Sequence, residues 1–431
     1  MARERRVVIS GVGLVSAAGI GVDEVWRRLR AAPPAPVLHP ALPAAAAIEF
    51  PLYRAAEYRL ADLGLPRRCL RWLADEGLGE VRDLRHLLAG TALALQDAGL
   101  GLDCAAQDPP AALVVGDESP GFEGLSQALF ALGHGGPLPD DPMAPIARYD
   151  ALAERFFQLN GFLLPHYLAR AFGFHGLTLF VNSACTSGLN AVDLAVQQIR
   201  AGRCRMAVAA AADDPRSLAK FLWFDRLGLY ARDGTIRPFD AGQCGTVFGD
   251  GGAALVLEDR DSARARGARC YAEYLGAGFT QDGWKITVPH PVAARAADAV
   301  VAACREAGVQ PAALDLVVPH GVGTAASDAY EALVLHRLFC FADGGPAVTA
   351  LKPYVGHNLG GSALLELALL AVALERQAIP PTLGHRTPLP RHPVPLVTAW
   401  QERRVDLALK LTCGFAGHYG AVVLRGLADE R

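Results

Sequence analysis

The chain has 431 residues, 52% of them apolar and 20% charged, with 41 basic and 44 acidic side chains and a formal charge of −3. A folded chain of this size buries roughly three quarters of its unfolded surface, so it needs no disulfides or structural metal. High apolar content and near-neutrality exclude a disordered tail protein and a nucleic-acid binder relying on bulk positive charge.

The first residues are basic, and VVISGVGLVSAAGIGV after them imitates a secretion signal, but Glu4 and the interrupting glycines favour a first strand, Arg6 to Ser10. A Gly-rich turn at Gly11 and Gly13 and a helix from about Val22 to Leu29 follow. Residues 31–60, rich in Pro and Ala without a period, read as a surface excursion. From Arg67 to Leu102, apolar residues recur at three- and four-residue spacing, which predicts helix ending at Gly99. ALVVGDE (112–118) reads as a buried strand entering a turn, and 119–150 as loop.

Two later segments share a design. LTLFVNSACTSGLNAVDLAVQQIRAG (177–202) passes from strand through a polar bend into an apolar helix, and AVTALKPYVGHNLGGSALLELALLAVAL (347–374) repeats that order. Strand-like runs follow each, at 206–214 and 253–259, then at 407–413 and 421–426. Such similarity at half the chain length predicts two related α/β halves, although any two α/β units share this order. The apolar run at 364–374 is too short to span a bilayer and contains Glu366, so no membrane anchor is expected. The nine cysteines (69, 104, 185, 204, 244, 270, 304, 340 and 413) stand singly, with no C-x-x-C pair. They fit neither a disulfide framework nor a zinc site; they suggest a reducing, cytoplasmic compartment and mostly core roles.

Cys185 lies in NSACTSG (182–188), at a strand-to-helix bend. A helix N-terminus lowers a thiol pKa, and the small neighbours Ser183, Ala184, Ser187 and Gly188 permit a sharp turn open to substrate, like a nucleophile elbow with sulfur for oxygen. His320 opens HGVGTAASD after a strand-like LDLVVP, and His357 closes KPYVGH. Both lie at strand ends in glycine-bearing loops, where a rigid base presents functional side chains. Together with Cys185 they make a cysteine acyl-transfer site.

SACTSG, PHGVGT, KPYVGHNLGGSALLE, RPFD with VFGDGGAALVLED, and CGFAGHYGAVVL resemble, in order and approximate spacing from Val7 to Leu424, the signatures of the β-ketoacyl-acyl carrier protein synthases. These are condensing enzymes of the thiolase superfamily, here of the elongating type II branch. The resemblance implies an α/β thiolase-like duplicated fold: two pseudo-equivalent halves, 1–258 with Cys185 and 259–431 with His320 and His357, in five α-β-α-β-α layers. It implies decarboxylative Claisen condensation of an acyl chain held on Cys185 with malonyl-acyl carrier protein, His320 and His357 acting on the malonyl unit. Lys352 would pair with Glu366 and support the histidines. Backbone N–H groups of Cys185 and Phe415 would form the oxyanion hole, each donor typically worth ~3–4 kcal/mol. Phe415 would also gate the acyl chain, and Thr324 would contact the pantetheine arm. That arm belongs to the carrier, so no metal or organic cofactor is implied.

The implied partner is an acidic acyl carrier protein. Arg67, Arg68, Arg71, Arg82 and Arg85 form a basic cluster that could receive it or could be a solvated helix face. The family implies a dimer, with itself or a paralogue, and no nucleic acid or membrane. Val322, Gln243, Cys244, Ala416, His418 and Tyr419 depart from the family pattern; with the 31–60 excursion they suggest polyketide, polyene or specialised fatty-acid synthesis. Two rival readings are a non-catalytic, chain-length-setting partner subunit, which typically lacks the cysteine, and an acyltransferase passing the chain to an alcohol or amine.

Overall fold

The computed structural model describes residues 5–40, 48–133, 144–339, 341 and 344–428. In chain order it runs β1 (Val7–Ser16), β2 (Gly19–Ile20), α1 (Val22–Ala31), β3 (Val37–Pro40), β4 (Glu49–Tyr53), α2 (Arg67–Asp75), α3 (Arg82–Asp97), β5 (Ala112–Gly116), α4 (Phe122–Gly133), α5 (Ala144–Gln158), α6 (Leu163–Phe172), β6 (Thr178–Val181), α7 (Ser187–Arg200), β7 (Met206–Asp213), α8 (Leu218–Arg226), β8 (Phe248–Gly249) and β9 (Gly251–Asp259). After α9 (Arg260–Ala265) come β10 (Ala272–Gln281), α10 (Ala294–Glu306), β11 (Leu316–Val318), α11 (Ala325–Leu338), β12 (Ala347–Val348), α12 (Lys352–Val355), α13 (Ser362–Arg376), β13 (Ala378–Ile379), β14 (Gln401–Glu402), β15 (Leu407–Cys413) and β16 (His418–Gly426).

The main sheet has the order β12-β11-β15-β16-β10-β1-β9-β7-β5-β6. It divides at the antiparallel pair β1–β10 into two arms with the same sequence of pairings. Moving outward, the first two pairings are antiparallel (β1–β9 and β9–β7; β10–β16 and β16–β15). The last two are parallel (β7–β5 and β5–β6; β15–β11 and β11–β12). The two similar sequence segments thus supply the outermost strands, β6 and β12, and the helices that follow, α7 and α13.

Those helices share one core with β1, β7, β9 and β16. From Ser362 to Glu375, α13 is buried throughout, the position that a helix apolar on every side demands. On the opposite face α3 and α6 form a second core with β5 and β7, while α10 and α11 cover β15 and β16. No described helix is long and apolar enough to cross a membrane.

Four expectations change. The chain does not turn at Gly11 and Gly13: β1 continues to Ser16. The glycines serve close approach instead, since a Cβ on Gly13 would stand 1.9 Å from the Gly90 carbonyl oxygen of α3. The helical pattern from Arg67 breaks into α2 and α3. Within the 31–60 excursion, β3 pairs with β4 and β4 with β8, and Phe50 and Leu52 are fully buried; residues 41–47 lie outside the described residues. The expected loop at 119–150 contains α4 and the start of α5; its Pro- and Gly-rich centre, 134–143, lies outside the described residues.

All eight described cysteines are free. Six are buried, Cys270 is half-buried and Cys244 is exposed; Cys340 lies outside the described residues.

Candidate active site

Cys185, His320 and His357 follow the carboxyl ends of β6, β11 and β12, where parallel strands present their loops to a common crevice. Cys185 is approached through Ala184, whose φ of 52° is a left-handed conformation costing about 1–3 kcal/mol for a residue with a side chain. The small polar neighbours hold that strain as well as making room. Ser187 Oγ donates to Ala184 O at 2.6 Å and accepts from Ser183 N at 2.9 Å, while Thr186 Oγ1 donates to Ser183 O at 2.7 Å.

Cys185 is 4% exposed. Burial, and after it the Glu118 carboxylate, push its pKa up, while Lys352 and the Phe415 backbone N–H pull it down. The thiolate expected at a helix start is therefore not the resting form: in this dry site burial outweighs the helix terminus.

His357 Nε2 lies 3.5 Å from Cys185 Sγ, and its Nδ1 lies 2.8 Å from Ser362 Oγ. Its backbone is held beside β8, with His357 N donating to Val247 O at 2.8 Å and Gly249 N donating to His357 O at 3.0 Å. A Cβ on Gly249 would meet Val355 O at 2.1 Å, and Gly356 has φ 75°, so the VFGDGG and KPYVGH signatures fit together only as glycines.

The His320 ring stands nearly perpendicular to that of His357, centroids 5.4 Å apart. Donor atoms of Cys185, His320 and His357 all lie within 4.8 Å of one another, the one such group with metal-compatible spacing among the described residues. Two buried ammonium groups behind the imidazoles oppose a further cation there.

The first is Lys352, whose Nζ donates to Glu366 Oε1 at 2.5 Å and His320 O at 2.7 Å, and lies 3.3 Å from His320 Nδ1. An ammonium has only donors, so Nδ1 accepts and the His320 ring proton sits on Nε2. The second is Lys410 of β15, paired with Glu366 Oε2 and donating to Pro319 O at 2.9 Å. Glu331 of α11 accepts from His320 N at 2.6 Å and Gly321 N at 2.8 Å. Burial first, then Lys352, hold both imidazoles well below the usual histidine value, so they are neutral at pH 7.

The pocket over the sulfur is lined by Val322, Thr324, Phe415 and Tyr419 among others, and leaves about 50 Å³ free. That is room for one or two waters at ~30 Å³ each. An acyl chain needs a side chain to move. The Phe415 ring packs at the pocket, its centroid 5.5 Å from those of Phe224 and Trp223. Its loop is tied to the pocket mouth: Ala416 N donates to Ile286 O at 2.6 Å, and Tyr419 Oη donates to Asp282 Oδ2 at 2.6 Å.

Residues 84–263 match the family model of the beta-ketoacyl synthase N-terminal domain, and 271–386 that of the C-terminal domain. The chain belongs to the beta-ketoacyl synthase family. It is 31% identical over 443 residues to a putative polyketide beta-ketoacyl synthase 1 of Streptomyces halstedii, covering 98% of each chain. It is 30% identical over 451 residues to the tetracenomycin polyketide synthase ketoacyl synthase alpha subunit of Streptomyces glaucescens, covering 99% of each. Among solved structures it resembles the ishigamide ketosynthase/chain length factor, with a TM-score of 0.81 and 27% identity over 98% of this chain and 99% of that one. The protein is a β-ketoacyl-acyl carrier protein synthase, an acyltransferase that condenses acyl units in polyketide or fatty-acid biosynthesis.

The ketosynthase fold gathers Cys185, His320, His357, Lys352 and Glu366 into one buried cluster, with the Phe415 N–H on the sulfur. It does not gather the five arginines. Arg82 is mostly buried, with Nη2 2.6 Å from Asp250 Oδ2, and Arg85 donates to Tyr58 O at 3.2 Å. Only Arg67, Arg68 and Arg71 are exposed, on α2, and none lines the Cys185 pocket. The sequence reading missed Lys410, Glu331, Ser362 and Glu118. A lysine inside the apolar run LALKLTC was the one available signal, because a buried cation requires a buried partner.

Proposed function

We propose that this ketosynthase holds an acyl chain on Cys185 and extends it by decarboxylative condensation with malonyl-acyl carrier protein, in polyketide, polyene or specialised fatty-acid synthesis. The supporting observation is the thiol and two neutral imidazoles within 4.8 Å, backed by the Lys352–Glu366–Lys410 chain. In acylation the thiol proton passes to His357 Nε2 as sulfur attacks the thioester carbonyl. The N–H groups of Cys185 and Phe415 receive the oxyanion, and the proton leaves with the carrier's sulfur. In condensation the malonyl thioester oxygen sits between Nε2–H of His320 and of His357. Loss of carbon dioxide leaves its electron pair on the α-carbon, which attacks the acyl-cysteine and expels the Cys185 sulfur. Donors aimed at developing charge in a dry site account for catalysis without a strong base.

Two pseudo-equivalent halves meeting near residue 258, stacked in five layers, would bring each half's chemistry to one crevice, as the mirrored strand order suggests. Phe415 acts as the gate, and Thr324 contacts the pantetheine arm with Val322 leaving one hydrogen bond unmade. The carrier docks with help from Arg67, Arg68 and Arg71, and the chain works as a dimer, with itself or with a paralogue such as a chain length factor. No resident cofactor takes part.

The test is incubation with acyl- and malonyl-carrier proteins. A β-keto product two carbons longer is expected. A chain passed instead to an alcohol would favour the acyltransferase reading, and no reaction with any acyl donor the partner-subunit reading.

A further inference from the structure

In the condensation reading, on which this inference rests, His357 must meet two opposite demands. Towards the free Cys185 thiol its Nε2 has to accept a proton, so the neutral ring carries its proton on Nδ1. Once the sulfur is acylated it has no proton to give, and Nε2 has to carry one to hold the malonyl oxygen. Nδ1 must then be bare. The group facing Nδ1 decides whether one ring can do both.

That group is the hydroxyl of Ser362, 2.8 Å away. A carbonyl or carboxylate there would fix the proton on Nδ1, and a backbone N–H would fix it on Nε2. A hydroxyl can accept from Nδ1–H or, after rotating, donate to bare Nδ1. Ser362 is 2% exposed at the start of α13, and the hydroxyl has no other described hydrogen-bond partner, so nothing holds it in one sense.

We propose that Ser362 is a positioning residue that lets His357 serve both half-reactions, accepting from Nδ1 while the thiol is free and donating to Nδ1 once Cys185 is acylated. The ring stays neutral between the steps: one proton leaves Nδ1 and one arrives at Nε2 by exchange with pocket water. Apolar walls at this point would leave Nδ1–H unpaired in the first state and let the ring tilt away from the sulfur in the second.

The test compares the parent protein with Ser362→Ala and Ser362→Thr. Cys185 acylation by acyl-carrier protein and carbon dioxide release from malonyl-carrier protein are followed separately, with melting temperature as the control for folding. Ser362→Ala should slow both steps about tenfold at saturating substrate with KM unchanged, and Ser362→Thr should restore them. Nitrogen-15 spectra of His357 should show Nδ1–H in the free protein and Nε2–H after iodoacetamide caps Cys185, a change that Ser362→Ala abolishes. Parent-like rates in Ser362→Ala, or one tautomer in both states of the parent, would overturn the proposal. If the parent neither acylates nor releases carbon dioxide, the condensation reading fails instead, and the nitrogen spectra still decide the role of Ser362.

Discussion

The β6–α7 and β12–α13 units are built alike, yet what packs behind their bends has opposite charge. Behind Cys185 stand the acids Glu118 and Asp213, with Lys220 Nζ 2.6 Å from Asp213 Oδ1. Behind His357 and His320 stand Lys352 and Lys410, sharing Glu366. Burial, helped by the acids, keeps the sulfur protonated; burial, helped by the cations, keeps the imidazoles neutral. Units built alike thus carry a thiol in one case and a neutral imidazole in the other, depending on the side chains beneath the bend.

The largest break in that comparison should come from Glu366→Gln. It leaves two fully buried ammonium groups without a carboxylate, which typically costs about 3–5 kcal/mol, read as a lower urea midpoint with loss of condensation. Glu118→Gln acts on the other side with the opposite sense. Removing a carboxylate that pushes the thiol up should make Cys185 react severalfold faster with iodoacetamide at pH 8. An unchanged rate would mean that Glu118 does not act on the sulfur.

The two sides should also set opposite pH limits on stability. His320 and His357 have depressed pKa values, so below about 6.5 the unfolded chain takes up protons that the folded chain refuses. Stability is then lost as pH falls, by about 1.4 kcal/mol per pH unit for each group, and His357→Gln should remove one share. Cys185 has a raised pKa, so its contribution is complete below about 8.5 and is lost as pH rises beyond it. Denaturation midpoints across pH 4 to 10 should show Cys185→Ala flattening only the alkaline side. The smallest effect is expected from Val322→Thr: a hydroxyl in the pocket should lower KM for carrier thioesters severalfold, worth about 0.5–1.5 kcal/mol, and leave kcat unchanged.

Much of the site was legible because its chemistry is local. Cys185 sits in a run of small residues that only a sharp bend needs, and His320 and His357 end strand-like runs. The supports were not legible, because Lys410 on β15, Glu331 on α11 and Glu118 in the bend after β5 become neighbours of the site only through the fold. Arg82 looked like surface charge because sequence spacing does not reveal that Asp250, between β8 and β9, pairs with Arg82 and His86 along one face of α3. Gly11 and Gly13 suggested a turn because a glycine required for close approach looks, in sequence, like one required for a bend. The helices inside 119–150 were hidden by the glycines and prolines between them.

The central claim is that Cys185 carries the chain while His320 and His357 act on the malonyl unit. Adduct mass on Cys185 and carbon dioxide release, measured together in the parent and in His320→Gln, test it most directly. A full acyl adduct is expected in both proteins, with carbon dioxide release only in the parent. Normal release from His320→Gln, or an adduct that persists in Cys185→Ala, would contradict it.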